Sequence, residues 1–95
     1  MELEIAAGMF DALGNPTRLR ILHHLANAGE QGMPVGALQA EIGIPNSTLS
    51  HHLAKLANVG LVSQERRATT LVCRIVGETL STLSTYLANP RPKAG

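Results

Sequence analysis

The sequence predicts a mainly helical α+β domain that carries one small β-hairpin. Apolar residues recur at helical spacing in successive stretches, and Gly, Pro or Asn bounds nearly every stretch. Two β-rich runs, 61–67 and 70–76, flank Ala68-Thr69 and read as a hairpin. At 95 residues the chain makes one domain, expected over 1–89, and a chain this short has difficulty hiding a large core by itself.

Residues 2–13 form the first expected helix, with Leu3, Ala6, Phe10 and Leu13 in one stripe and Ile5, Met9 and Ala12 in a second beside it. The apolar arc covers about half the circumference. Either both stripes pack inside the domain, or one half faces the domain and the other takes a partner. Gly14-Asn15-Pro16 then ends one helix and starts another: a C-cap glycine, an N-cap asparagine, and proline where its missing N–H costs nothing. The second helix runs to about Asn27. Leu19, Leu22, Leu25 and Ala26 are expected inward, with Arg18, His23 and His24 toward solvent or the helix flank. Ala28 to Gly32 is a loop by composition.

Met33-Pro34-Val35 is expected as a short edge strand, followed by a helix over 35–42 with Val35, Leu38 and Ile42 inward. Gly43-Ile44-Pro45 turns the chain into a helix over 47–58. Pro45 keeps Ile44 out of the helical region, Asn46 is placed to cap the first turn, and Gly60 supplies a left-handed C-terminal cap. Leu49, Leu53 and Leu56 form one apolar stripe; Ser47, Ser50, His51, Ala54, Lys55 and Asn58 lie on the other side. Short hydroxyls, an imidazole and an amide around one cation suit hydrogen bonds to base edges and phosphates better than an ordinary Glu- and Lys-rich solvated face would. A short helix, a glycine turn and a capped second helix make the helix-turn-helix pattern, whose second helix enters the major groove. The same local pattern also occurs in helical hairpins with no nucleic-acid role.

In the hairpin, Leu71, Cys73 and Ile75 alternate with Val72, Arg74 and Val76, so one face packs and the other is partly exposed. Arg66 and Arg67 near its tip are candidates for phosphate or minor-groove contact. A last helix over 78–88 carries Leu80, Leu83 and Leu87 among Ser and Thr. It would be marginal unless packed, which pairs it with the first helix in a two-fold dimer interface built on Leu3, Ala6, Phe10, Leu80, Leu83 and Leu87. Residues 90–95, with prolines and cations, are expected to be a disordered tail.

The run Ser47-Thr48-Leu49-Ser50-His51-His52-Leu53 to Leu56, then Gly60-Leu61-Val62, resembles the recognition helix and start of the wing in the ArsR/SmtB family of winged helix-turn-helix repressors. Leu13-Gly14-Asn15-Pro16-Thr17-Arg18-Leu19-Arg20-Ile21-Leu22 is similar to that family's lead into its second helix. The resemblance covers nearly the whole chain. It implies a winged helix-turn-helix homodimer that binds a pseudo-palindromic operator in double-stranded DNA. Asn46, Ser47, Ser50 and His51 match the family's base-proximal positions, with Thr48 in the same motif and Lys55 later in the helix. The family's wing tip commonly carries glycine followed by arginine, where this chain has Ala68 and Thr69. A winged-helix domain used for protein interaction is the alternative reading, and steep salt dependence with sequence selectivity separates the two.

Net charge is only +1, but its distribution is uneven. Residues 1–41 hold five acids against Arg18 and Arg20, a balance of −3; residues 42–76 hold Lys55, Arg66, Arg67 and Arg74 against Glu65, a balance of +3. The basic charge thus sits with the expected recognition helix and hairpin. At 44% apolar and 16% charged the chain is globular and not disordered. Its apolar runs are short and its N-terminus lacks a basic flank with an apolar core, so neither a membrane span nor a signal peptide is expected and the cytoplasm is the default location. One cysteine, Cys73, excludes an intramolecular disulfide framework.

Catalysis finds little support: there is one aspartate, no phosphate-binding glycine motif and no paired-carboxylate arrangement. The resemblance raises metal sensing, because many members bind metals through cysteines on the third helix or Asp and His on the last. Here residues 35–42 lack Cys, and the last helix offers only Glu78 and Tyr86. His23-His24 and His51-His52 are adjacent pairs that diverge by about 100° on a helix, unlike an i, i+4 chelate. No metal or cofactor is therefore expected. Cys73 is either a thiol sensor or a buried small hydrophobe, and its place between Leu71 and Ile75 favours the second.

Overall fold

Residues 1–90 are described by a computed structural model. Five helices, α1 (Leu3–Leu13), α2 (Pro16–Ala28), α3 (Val35–Ile42), α4 (Asn46–Asn58) and α5 (Gly77–Ala88), surround three strands, β1 (Met33–Pro34), β2 (Val62–Arg67) and β3 (Thr70–Ile75). This is the expected α+β order, with one 3₁₀ turn, Gly29–Gln31, added after α2. The antiparallel sheet runs β1-β3-β2, and the hairpin register pairs Val62 with Ile75 and Arg67 with Thr70. From residue 91 on, the expected disordered tail lies outside the described residues.

Local signals in the sequence start and stop these elements. The Asn15 side chain accepts from the Arg18 N–H at 3.0 Å and Pro16 opens α2, so two of the orphan groups of the first turn cost nothing. At the end of α4, Gly60 takes φ +77°; its N–H reaches the Ala57 carbonyl and the Leu61 N–H reaches Leu56, the two bonds of a Schellman motif. Buried Leu56 and Leu61 supply the apolar contact that accompanies it. Gly32, at φ +73°, serves close approach instead: a Cβ there would meet the Cys73 carbonyl oxygen at 2.6 Å, where the chain crosses β3.

The core is one cluster that includes Ala6, Met9 and Ala12 of α1, Ile21 and Leu25 of α2, Leu38 and Ile42 of α3, Leu49, Leu53 and Leu56 of α4, and Cys73 of β3, closed by Leu83 of α5. In α2 the buried face differs from the expected one. Leu19 is 41% exposed and Ala26 is exposed, whereas Arg18, Ile21 and Leu25 turn inward with Leu22 beside them. Spacing explains this, because Arg18, Ile21 and Leu25 fall at i, i+3 and i+7, and only an arginine that finds acceptors can hold the first of those places. On β3 both Val72 and Cys73 are buried, since β1 and β2 pair along its two edges and both α2 and α3 pack against it. Among the described residues no helix is long and apolar enough to cross a membrane.

Candidate nucleic-acid interface

Burial of Leu49, Leu53 and Leu56, each at about 1.5–3 kcal/mol, fixes the rotation of α4 about its axis. The opposite face is consequently held outward, and Asn46, Ser47, Thr48, Ser50, His51, Ala54, Lys55 and Asn58 are all exposed. The turn before it is pinned by Gln39, whose Nε2 donates to the Ile44 carbonyl at 2.9 Å, and by the Gly43 N–H on the Gln39 carbonyl. A polar, rigidly presented helix of this kind can offer donors and acceptors to base edges without first ordering itself.

The expected cap at Asn46 is corrected. Pro45 is the N-cap, with φ −58° and ψ 148°, Asn46 is the first helical residue, and no side chain caps the helix. Because proline already holds the extended conformation a cap needs, the helix begins one residue early and Asn46 is left free to face outward.

Arg66 and Arg67 are both exposed on β2 but stand on opposite faces of the strand. Glu65 receives Arg67 Nε at 3.1 Å and an Arg74 guanidinium nitrogen at 2.6 Å, while Arg66 makes no ion pair among the described residues. Exposed pairs of this type are worth about 0–1 kcal/mol, so Arg67 can trade Glu65 for a phosphate at little cost. Ala68 at the hairpin tip adopts φ +56°, a left-handed conformation that costs a non-glycine residue about 1–2 kcal/mol.

Arg18, expected toward solvent or the helix flank, is 8% exposed and lies under this interface. Its Nε–H donates to the Ala12 carbonyl, and a terminal nitrogen of its guanidinium lies 3.1 Å from Nδ1 of His52 on the flank of α4. Burial first, then the positive charges of Arg18, His51 and Lys55, holds the His52 imidazole below its ordinary 6.5. Neither contact was evident from the chain order. The available signal was an arginine on the i, i+3, i+7 stripe of α2.

The side chains expected to pair two copies divide into two sets. Ala6 and Leu83 are buried in the chain's own core, and Leu80 packs against it. Leu3 at 68%, Phe10 at 37% and Leu87 at 63% remain exposed, together with Met1 and Ile5. A groove lined by Leu3, Ile5, Thr82, Thr85 and Tyr86 separates the start of α1 from α5. Among the described residues no three His, Cys, Asp or Glu side chains gather into a metal site. Burial pushes the Cys73 thiol above its ordinary value, which keeps it protonated.

Known proteins share this arrangement. The family described as "Helix-turn-helix domain" matches residues 13–65. The nodulation protein NolR of Rhizobium meliloti is 46% identical over 70 residues, 74% of this chain and 55% of NolR, so the match spans about half of that relative's length. The crystal structure of NolR from Sinorhizobium fredii is 37% identical with a TM-score of 0.71, covering 96% of this chain and 88% of that one. A solution structure from Mycobacterium bovis, Mb0332, is described as a homodimeric winged helix-turn-helix DNA-binding domain of a possible ArsR-family regulator. It is 29% identical with a TM-score of 0.74, covering 98% of this chain and 90% of that one. With its matching order of elements, exposed polar α4 and β2–β3 wing, the chain belongs to the ArsR/SmtB family of winged helix-turn-helix transcriptional regulators, which are not enzymes.

Proposed function

We propose that this chain is a homodimeric repressor that reads a pseudo-palindromic operator in double-stranded DNA. The observation that carries the reading is the outer face of α4, where Asn46, Ser47, Thr48, Ser50, His51 and Lys55 are exposed while the three leucines behind them are buried. Asn46, Ser47, Ser50 and His51 meet base edges in the major groove, and Lys55, Arg66 and Arg67 meet the backbone. One such helix covers only a half-site, and a two-fold pair must place two of them about 34 Å apart. Exposed Leu3, Phe10 and Leu87 are available to form that pair, and the homodimeric M. bovis domain supports the assembly. Repression is what the family resemblance implies.

The test is to pass sheared genomic DNA over the purified protein and sequence what is retained at rising salt. A recurrent inverted repeat with half-sites one helical turn apart is the expected result. Retention without any shared sequence, or no retention at low salt, contradicts the reading and favours a winged helix used for protein interaction.

A further inference from the structure

Arg18 is a nine-tenths buried cation with no carboxylate partner among the described residues. Its acceptors are the Ala12 carbonyl in the last turn of α1 and Nδ1 of His52 on α4. A guanidinium only donates, so Nδ1 must accept and the imidazole proton resides on Nε2. One side chain rooted on α2 therefore joins the end of α1 to the flank of α4. An apolar residue of similar volume would fill this place at comparable stability, since a buried charge gains little net energy from its contacts. What an apolar residue cannot supply is a fixed direction between the helices.

We propose that Arg18 and His52 are positioning residues for DNA recognition, setting α4 at a fixed angle to the α1 end that leads toward the exposed apolar surface. The proposal rests on α4 being the reading helix. His52 lies four residues after Thr48 and three before Lys55, so its ring stands between two exposed groups of the interface. Loosening the Arg18 contact lets α4 rock on its leucine stripe, which spoils base contacts, for which a misplacement of about an ångström is already costly, while phosphate contacts from long side chains adapt. Selectivity is accordingly lost before affinity for DNA in general.

Two measurements on the full chain test this. Long-range proton–nitrogen NMR of histidine-labelled protein reads the tautomer: His52 shows the Nε2–H form alone above its pKa, and Arg18→Met gives a mixture of tautomers. On the DNA sequence that the wild type selects, Arg18→Met and His52→Leu lower the ratio of selected to random-duplex affinity by about tenfold, the size of one lost base contact. His52→Asn, whose amide oxygen can replace Nδ1 as acceptor, keeps most of that ratio. His52 is only half-buried, so its variants report even if Arg18→Met fails to fold. An Nδ1–H tautomer in the wild type overturns the proposal, as does an unchanged ratio in His52→Leu. A wild type without any sequence preference overturns the reading of α4 instead, and the tautomer still decides whether the clamp exists.

Discussion

Leu83 and Leu87 stand one turn apart on α5 but in different surroundings, and under the proposed dimer they have different tasks. Leu83 is 5% exposed within the chain and Leu87 is 63% exposed. Full burial of a leucine contributes about 1.5–3 kcal/mol, so a partner that covers the exposed part of Leu87 gains about 1–2 kcal/mol. Two-fold symmetry counts the contact twice, about 2–4 kcal/mol per dimer. Leu87→Ser should then raise the dimer dissociation constant roughly 30- to 1,000-fold and leave the unfolding of each protomer nearly unchanged. Leu83→Ser should do the reverse, costing each protomer about 2–5 kcal/mol through the cavity and the buried hydroxyl. Sedimentation equilibrium reads the first quantity and urea unfolding of the dilute protein the second. A Leu87→Ser chain that dimerises as tightly as the wild type places the interface away from this end of α5.

Three further outcomes are expected. Gly60→Ala brings a Cβ only to ordinary contact with Thr79 Oγ1 at 3.9 Å and pays for its left-handed φ, about 1 kcal/mol, whereas Gly32→Ala also drives a Cβ into the Cys73 carbonyl and should cost several times more in urea unfolding. The folded state holds His52 below its ordinary 6.5, so that group's contribution to stability is fully present above 6.5 and is lost as pH falls from there through the folded value; unfolding at pH 8 and pH 5 checks this against His52→Asn, whose difference from wild type should change across the same window. Zn(II), Cu(I) and As(III) should leave DNA affinity unchanged, and Cys73→Ser should respond to peroxide as wild type does. A DNA titration in which any metal releases the protein at one equivalent, or peroxide releases only the wild type, refutes this expectation.

The strong punctuation of the chain made its elements legible. Asn15-Pro16, Gly43-Ile44-Pro45 and Gly60 each fix a local conformation that tertiary packing does not override, and the leucine stripe of α4 decides which face looks outward. The cap at Asn46 was misplaced by one residue because Pro45 already holds the extended backbone of an N-cap, although it offers no side-chain acceptor. The buried face of α2 was misjudged for a different reason. Sequence patterning treats arginine as a surface residue, and the acceptors that let Arg18 turn inward, Ala12 and His52, lie six and thirty-four positions away. Long-range satisfaction of a buried polar group leaves no periodic signature. The width of the apolar arc of α1 was readable, yet the division between Ala6, which the chain covers, and Leu3 and Phe10, which it leaves exposed, depends on the angle at which α1 meets α2 and α4.

The direct test of α4 as the reading helix is one titration series: binding of the wild type, Ser47→Ala and Arg66→Ala to the selected sequence and to a scrambled duplex, each over a range of salt. Ser47→Ala should lose about 1–3 kcal/mol on the selected sequence alone and keep the wild-type salt slope. Arg66→Ala should weaken both duplexes alike and lower the slope by about one. A Ser47→Ala protein, with His51→Ala beside it, that retains the full preference for the selected sequence would contradict the assignment of base readout to the exposed face of α4.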